Sequence, residues 1–272
     1  MVCPGLVSIT FRNLLPTEIV ALVTKTGLKG IEWGGDVHVP HGDLEQARKV
    51  RKMTEDAGLL VAAYGSYYVV GREKPVSFGT VLETAVALNA PTIRVWAGYK
   101  GSAAADNRYF DGIVRETQRI ADLAEIAGVT ISYEFHSGTL TDNHIYAARL
   151  LKEVAHNNVR TYWQPPGGIQ KNTVFEGLET MLPWLSNIHV FHWKLEKRYL
   201  LADGAALWTT YLQAIASTNR DHFAMIEFVK DNIPENFLRD AVMLNNWLSS
   251  VNSTIPVQEI NDPAADRGEF SS

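Results

Sequence analysis

The sequence is poor in features that would assign it to several broad classes of protein. It holds one cysteine, Cys3, among 272 residues, which excludes an internal disulfide and favours a reducing compartment. Its net charge is −5, without the basic excess that is typical of proteins that bind duplex nucleic acid. The composition therefore excludes a disulfide scaffold and disfavours a nucleic acid as the partner.

Long apolar runs and phosphate-binding loops are also absent. No window reaches the roughly 18 consecutive apolar residues that a membrane span needs. The start, MVCPGLVSITFRN, has neither a basic region nor a long apolar stretch, so we expect no signal peptide, no membrane partner and a cytoplasmic location. No G-x-G-x-x-G or Walker sequence is present, which disfavours an open, doubly wound sheet, the alternative fold.

What the sequence does contain is a repeated unit, in which a helical stretch is followed by a short β-rich apolar run. The eight runs lie in LVSITF, KTGLKGIEW, DAGLLVAAY, LNAPTIRVW, IAGVTISYE, NNVRTYWQ, SNIHVFHW and RDHFAMIEF. Gly27, Gly58 and Gly128 stand where a helix commonly ends in a residue of positive φ. Most runs lack alternation, which is typical of parallel strands that are buried on both faces.

Eight βα units without a linker predict an α/β fold, a closed (β/α)₈ TIM barrel in a single domain. We place the barrel in residues 1–254 and a short C-terminal tail, rich in Pro, Asp and Ser, in residues 255–272. Asp43 and Pro234 are predicted to mark the starts of helices.

In such a barrel the active site lies at the carboxyl ends of the strands. Glu134, Gln164, His192 and Glu227 stand at the ends of four consecutive predicted strands. Two carboxylates, an imidazole and an amide oxygen form a ligand set that suits Mn²⁺, Mg²⁺, Co²⁺ or Zn²⁺. Two carboxylates this close would repel each other unless a cation held them together. We therefore predict a divalent metal ion bound by these four residues.

Each of these residues also has a plainer, structural interpretation. A glutamate at a strand end commonly pairs with a basic side chain, and Arg94 is a partner within reach of Glu134. A histidine in an apolar run, such as His189, is typical of a hydrogen-bonded core residue. Glu32, early in the second strand, is typical of a buried structural carboxylate.

Further side chains at the strand ends predict a pocket around the metal. His136 and Lys194 are candidate acid–base residues, and Arg94 is a candidate to bind a carboxylate or phosphate of the substrate bidentately. Aromatic residues are predicted to wall this pocket against the C–H face of a sugar. They are Trp33, Tyr64, Trp96, Trp163 and Trp193.

These motifs resemble the xylose-isomerase-like TIM barrels, the superfamily of sugar phosphate isomerases and epimerases. SITFRN, GIEWGG, TIRVWAGYKGSA and YEFHSGTLTDN resemble its 3-dehydroshikimate dehydratase branch. The resemblance implies that the metal is held where the family has Glu, Asp, His and Glu, at positions matched here by Glu134, Gln164, His192 and Glu227. The family's polar residues around the metal correspond to Arg94, His136 and Lys194.

Two positions depart from the family pattern. Gln164 brings an amide where the family usually has an aspartate, so it either binds a metal more weakly or contacts the substrate. Leu195 stands where an acid commonly follows the H-x-K element. Endonuclease IV, another member of the superfamily, is disfavoured because the chain has a negative net charge and a single ligand set.

The predicted function is that of a divalent-metal-dependent isomerase or epimerase of a small keto-sugar or sugar derivative, acting through a metal-stabilised enediolate. Glu134 and Glu227 would remove and return the proton next to the carbonyl. The alternatives are a metal-dependent dehydratase of a cyclic or keto-sugar acid, such as 3-dehydroshikimate, and a non-catalytic sugar-binding barrel. The expected partners are a carbohydrate-like small molecule and, as relatives often form oligomers, further copies of the chain.

Overall fold

Eight parallel strands close into a barrel in the computed structural model, which describes residues 1–72, 76–166, 171–194 and 197–253. The strands are β1 (Val2–Val7), β2 (Gly30–Gly34), β3 (Leu60–Val69), β4 (Thr92–Trp96), β5 (Thr130–Tyr133), β6 (Val159–Trp163), β7 (Leu185–Val190) and β8 (His222–Ile226). Each pairs with its sequence neighbours, and β1 pairs with β8 to close the sheet. The predicted (β/α)₈ barrel is confirmed, whereas the predicted tail, 255–272, and Leu195 lie outside the described residues.

The helices that follow the strands form the outer layer. They are α1 (Pro16–Val23), α2 (Leu44–Asp56), α3 (Phe78–Leu88), α4 (Asn107–Ile126), α5 (His144–Val154), α6 (Lys171–Met181), α7 (Ala205–Ala216) and α8 (Pro234–Ser253). Asp43 accepts a hydrogen bond from Gln46 N at 2.9 Å and so caps α2, and α8 begins at Pro234, as predicted. Among the described residues, no helix has the length and apolar character to cross a membrane.

The helix ends agree with the prediction, whereas the first strand is shorter than predicted. The φ angles are 75° at Gly27, 72° at Gly58 and 69° at Gly128, so the left-handed positions expected after helices are confirmed. The run LVSITF is not one strand, because β1 ends at Val7 and Ser8–Phe11 form a 3₁₀ helix. The Ser8 hydroxyl accepts a hydrogen bond from Gly34 N at 2.9 Å, which holds this turn against the end of β2.

The interior of the barrel divides into an apolar and a polar part. The apolar part is formed by Val7, Ile9, Ala62, Ala63, Tyr162 and Met225. The polar part consists of buried ionisable side chains, which are Glu32, Arg94, Glu134, His189 and Glu227. Because a buried charge costs free energy unless it is paired, this concentration of charge makes this part of the barrel the candidate functional site.

Candidate active site

Three ionisable side chains converge inside the barrel. Glu134 follows β5, His189 lies in β7 and Glu227 follows β8, and one ligand atom of each lies within 4.8 Å of the others. His189 Nδ1 is 3.9 Å from Glu134 Oε1 and 3.4 Å from Glu227 Oε2. All three residues are buried, so this group could hold a metal ion.

Gln164 adds a fourth polar atom to this group. Its Oε1 lies 3.0 Å from His189 Nδ1, and its Nε2 donates a hydrogen bond to the Phe135 carbonyl at 2.8 Å. The amide oxygen and one oxygen of each carboxylate therefore all lie near the same imidazole nitrogen, His189 Nδ1. One nitrogen and three oxygens form the mixed donor set that divalent first-row metals and magnesium accept, so the residues present fit such an ion.

His192, predicted to be a metal ligand, lies outside this group. It follows the end of β7, and its buried Nε2 has no hydrogen-bond partner. Its ring packs against Gly204, where an added Cβ would lie 2.6 Å from Nδ1. His189, interpreted from the sequence as a core residue, stands with the glutamates instead. His192 nevertheless lines the cavity described below.

A buried arginine connects this group to a third glutamate. Arg94 Nε donates to Glu32 Oε1 at 2.7 Å, and its Nη1 donates to Glu134 Oε2. Trp96 Nε1 donates to the same oxygen of Glu134 at 2.6 Å. Both donors therefore hold one oxygen of Glu134 and leave the other turned towards the imidazole. The sequence left open whether Arg94 binds the substrate or pairs with Glu134, and the structure shows the pairing with Glu134.

The charges in this network stabilise one another. Burial raises the pKa of Glu32, but Arg94 and His189 outweigh this effect and lower the pKa to about 2. Burial lowers the pKa of His189, but Glu227 and Glu32 outweigh it and raise the pKa to about 10. Without an ion, a protonated His189 therefore offsets part of the negative charge of the glutamates. An imidazole that binds a metal through Nδ1 must give up that proton, and three glutamates and one arginine then leave an excess of two negative charges. A divalent cation would balance that excess.

The group opens into a cavity of about 630 Å³, a volume that suits a small ligand. Its lining includes Glu134, Gln164 and Glu227, three of the residues that the sequence analysis proposed as metal ligands. His136 and Trp96 also line it, with their rings stacked at a centroid distance of 4.7 Å. Residues that the sequence did not single out for the site complete the wall, among them Ile9, Arg12, Tyr67, Trp208, Tyr211 and Phe228.

Two of the predicted wall residues lie on the outer side of the barrel. Trp33 is fully buried and donates from Nε1 to Thr54 of α2 at 3.2 Å. Trp163 is fully buried as well, and its ring lies 5.1 Å from that of Tyr211. Neither is among the residues that line the cavity. Successive residues of a strand face opposite sides, so these two tryptophans point away from the interior that their neighbours face.

Of four other residues predicted for the site, one lines the cavity and three do not. Trp193 lines the cavity, whereas Lys194 is exposed, with Nζ 5.0 Å from the Tyr199 ring. Tyr64 is fully buried, and its hydroxyl donates to a backbone carbonyl of the loop after β2 at 2.8 Å. Arg94 is only 1% exposed and is not among the lining residues, because it lies behind the carboxylates it pairs with.

Together these features define a TIM barrel with a buried Glu/His/Glu group at the carboxyl ends of its strands. Residues 20–247 match the family model described as "Xylose isomerase-like TIM barrel", and the chain belongs to this family. The resemblance inferred from the motifs is therefore confirmed. No curated protein sequence matches the chain significantly.

Solved structures share this fold over nearly the whole chain. The probable 3-DHS dehydratase AsbF from Bacillus anthracis is 20% identical, with a TM-score of 0.73, over 90% of this chain and 99% of its own. A D-psicose 3-epimerase from Clostridium cellulolyticum is 14% identical, with a TM-score of 0.69, over 92% and 99%. A xylose isomerase domain protein from Planctomyces limnophilus is 14% identical, with a TM-score of 0.69, over 86% and 92%. At such identities the likeness shows the fold alone.

Proposed function

We propose that the protein is a divalent-metal-dependent isomerase or epimerase of a small keto-sugar or sugar derivative. The observation that carries this proposal is the convergence of Glu134, Gln164, His189 and Glu227 beside a cavity of about 630 Å³. These four side chains would hold the ion, and Mn²⁺, Mg²⁺, Co²⁺ and Zn²⁺ all accept such donors. A bound divalent ion would polarise the substrate carbonyl so that the adjacent C–H bond breaks more readily.

The two carboxylates that line the cavity are the candidates for proton transfer. Glu227 would take the proton from the carbon next to the carbonyl, and the electron pair of that C–H bond would move towards the carbonyl oxygen. Glu134, three strands away around the barrel, would hold a proton at the start of the reaction and would give that proton to the opposite face of the carbon, which inverts it. Arg94 and Trp96 hold the second oxygen of Glu134, which keeps this carboxylate in one orientation during the reaction.

The aromatic walls would bind and orient the sugar. The stacked pair of Trp96 and His136 offers a flat face, and Trp193 and Phe228 lie with their ring centroids 5.9 Å apart elsewhere in the lining. Flat apolar faces of this kind suit the C–H side of a sugar ring and displace water from the reacting carbon.

Dehydration would begin with the same proton removal and end with the loss of a β-hydroxyl, as for a cyclic acid such as 3-dehydroshikimate. The sequence offered Arg94 either as a residue that binds a carboxylate or phosphate of the substrate or as a partner of Glu134. In the fold this arginine is buried and pairs with Glu32 and Glu134. We therefore place isomerisation or epimerisation of an uncharged keto-sugar first.

Solvent exchange tests this proposal. In D₂O with Mn²⁺ and a panel of ketohexoses, the protein should place deuterium next to the carbonyl of one sugar and produce its epimer or aldose, measured by NMR. Glu227→Gln keeps the shape but cannot accept a proton, so kcat should fall about 100-fold or more. Glu116→Gln, at an ion pair on the surface of α4, should leave kcat unchanged.

The outcomes separate the candidate reactions. A product with the ultraviolet absorbance of a conjugated carbonyl would assign the dehydratase instead of the isomerase. A protein that takes up no divalent metal and exchanges no proton on any sugar would overturn both, and would favour the non-catalytic barrel.

A further inference from the structure

Glu134, Gln164, His189 and Glu227 are called the metal group below. Among the described residues, Glu32 is the one buried carboxylate of the barrel interior that neither lines the cavity nor belongs to this group. It is 0% exposed. Its Oε1 accepts from Arg94 Nε at 2.7 Å, whereas its Oε2 has no hydrogen-bond partner. That second oxygen lies 3.5 Å from His189 Nε2, which also lacks a hydrogen-bond partner. Both polar atoms are buried, and leaving either of them unpaired costs free energy, so their proximity indicates that they act as a pair.

The imidazole of His189 has a different neighbour at each nitrogen. Nδ1 faces Glu227, Glu134 and Gln164, which form the rest of the metal group. Nε2 faces Glu32 on the other side of the ring. A histidine that ligates a metal through one nitrogen commonly donates its other N–H to a carboxylate, which sets the tautomer and the plane of the ring. Glu32 stands in the place of that carboxylate.

The same carboxylate reaches a second member of the metal group through Arg94. The guanidinium bridges Glu32 Oε1 and Glu134 Oε2, and so links the orientation of Glu134 to that of Glu32. Gly65 in β3 leaves space for this bridge, since an added Cβ would lie 2.7 Å from Arg94 Nη2 and 2.8 Å from Glu32 Oε1. The backbone around the pair therefore accommodates it at close range.

We propose that Glu32 is a positioning residue that orients the metal group. It acts directly on His189, and it acts on Glu134 through Arg94, which bonds to both glutamates. The inference rests on the proposed function, because it assumes that this group holds a divalent ion. Glu32 does not touch the ion or the substrate. Its charge fixes the imidazole with Nδ1 free to ligate, and its loss lowers the affinity for the metal.

Titration with Co²⁺ tests this role. Glu32→Gln preserves the size of the side chain but removes its charge. Chelator competition should show an affinity 10- to 100-fold weaker than that of the unmodified protein, the range typical of such outer partners. The visible Co²⁺ spectrum should shift as well, because the imidazole is no longer held in one orientation. The matched control is Asp240→Asn, a buried carboxylate of α8 that bonds Leu201 N, and it should change neither readout.

The outcomes distinguish this inference from the function on which it rests. If the unmodified protein binds no Co²⁺, the proposed metal function is overturned, and the role of Glu32 with it. If it binds Co²⁺ and Glu32→Gln binds equally well with the same spectrum, only the positioning role is overturned. Should Glu32→Gln not fold, Glu32→Asp keeps the charge but shortens the reach, and an unchanged affinity and spectrum there would overturn the role too.

Discussion

The two oxygens of Glu134 have different partners, and this difference decides what the residue can do. Arg94 and Trp96 donate to Oε2, whereas Oε1 is turned towards His189 Nδ1 at 3.9 Å. One oxygen therefore anchors the side chain, and the other remains available to an ion or a proton. Charge-assisted hydrogen bonds of this kind confer the pre-organisation that a catalytic carboxylate needs.

Gln164 allows the metal proposal to be tested with a single added charge. Gln164→Asp should bind Mn²⁺ about 10-fold or more tightly than Gln164→Asn, because the two side chains have the same length and only the aspartate supplies a negative oxygen to the cation. Isothermal titration of both variants measures the difference. Equal affinities, or a tighter asparagine variant, would show that residue 164 does not face the ion.

At the scale of single elements, side chains alternate along each strand, and this alternation determines which residues face the candidate site and which pack against the helices. In β2, Glu32 faces the interior and Trp33 faces α2. Gln164 likewise faces the interior just after β6, while Trp163 packs on the outside. Residues that are adjacent in the sequence thus have opposite roles, since a strand turns successive side chains to opposite faces.

A substitution of Trp33 tests this alternation. The sequence predicted that Trp33 binds substrate, whereas in the fold it packs against α2. Trp33→Phe removes part of the ring and the hydrogen bond to Thr54, so the free energy of unfolding should fall by roughly 1–3 kcal/mol. KM for the sugar should not change. Urea denaturation and steady-state kinetics provide the two readouts. A raised KM at unchanged stability would contradict the packing role and indicate that Trp33 contacts the substrate.

At the scale of the whole molecule, a hydrogen bond connects α8 to the loop that follows β7. Asp240 of α8 accepts a hydrogen bond from Leu201 N at 2.9 Å, and it is only 2% exposed. Burial raises the pKa of Asp240 from 3.8 to about 6, and the nearby Asp203 adds to the rise. The folded protein therefore favours the neutral form of this group.

The raised pKa of Asp240 predicts how its contribution to stability changes with pH. Below about pH 3 the group is neutral in both the folded and the unfolded chain, so it makes no difference there. As pH rises from about 4 to 6, only the unfolded chain releases the proton freely, and folding loses up to about 3 kcal/mol at 1.36 kcal/mol for each unit of pKa.

Asp240→Asn should remove this loss, because it retains an oxygen for Leu201 N and cannot ionise. Urea denaturation should find the variant more stable than the unmodified protein at pH 7 and nearly equal to it at about pH 3. A difference in stability that is the same at both pH values would contradict the assignment.

Much of the fold and part of the site followed from local patterns. The eight apolar runs, the glycines after helices and the residues Glu134, Gln164 and Glu227 at strand ends all came from the sequence, and the family match confirms the barrel. The choice between two histidines three residues apart did not follow. A run such as SNIHVFHW does not show where its strand ends, and that end decides which of His189 and His192 faces the interior.

The sequence by itself determined the architecture and the end of the barrel at which the candidate site lies. It could do so because strands and helices follow from periodicity over a few residues, and because parallel strands share their carboxyl ends. Only the tertiary structure decided which side chains meet: His189 joins the two glutamates, and Glu32 reaches Arg94 across 62 positions of sequence. Such contacts depend on the closure of the sheet, the space left at Gly65 and the balance of buried charges.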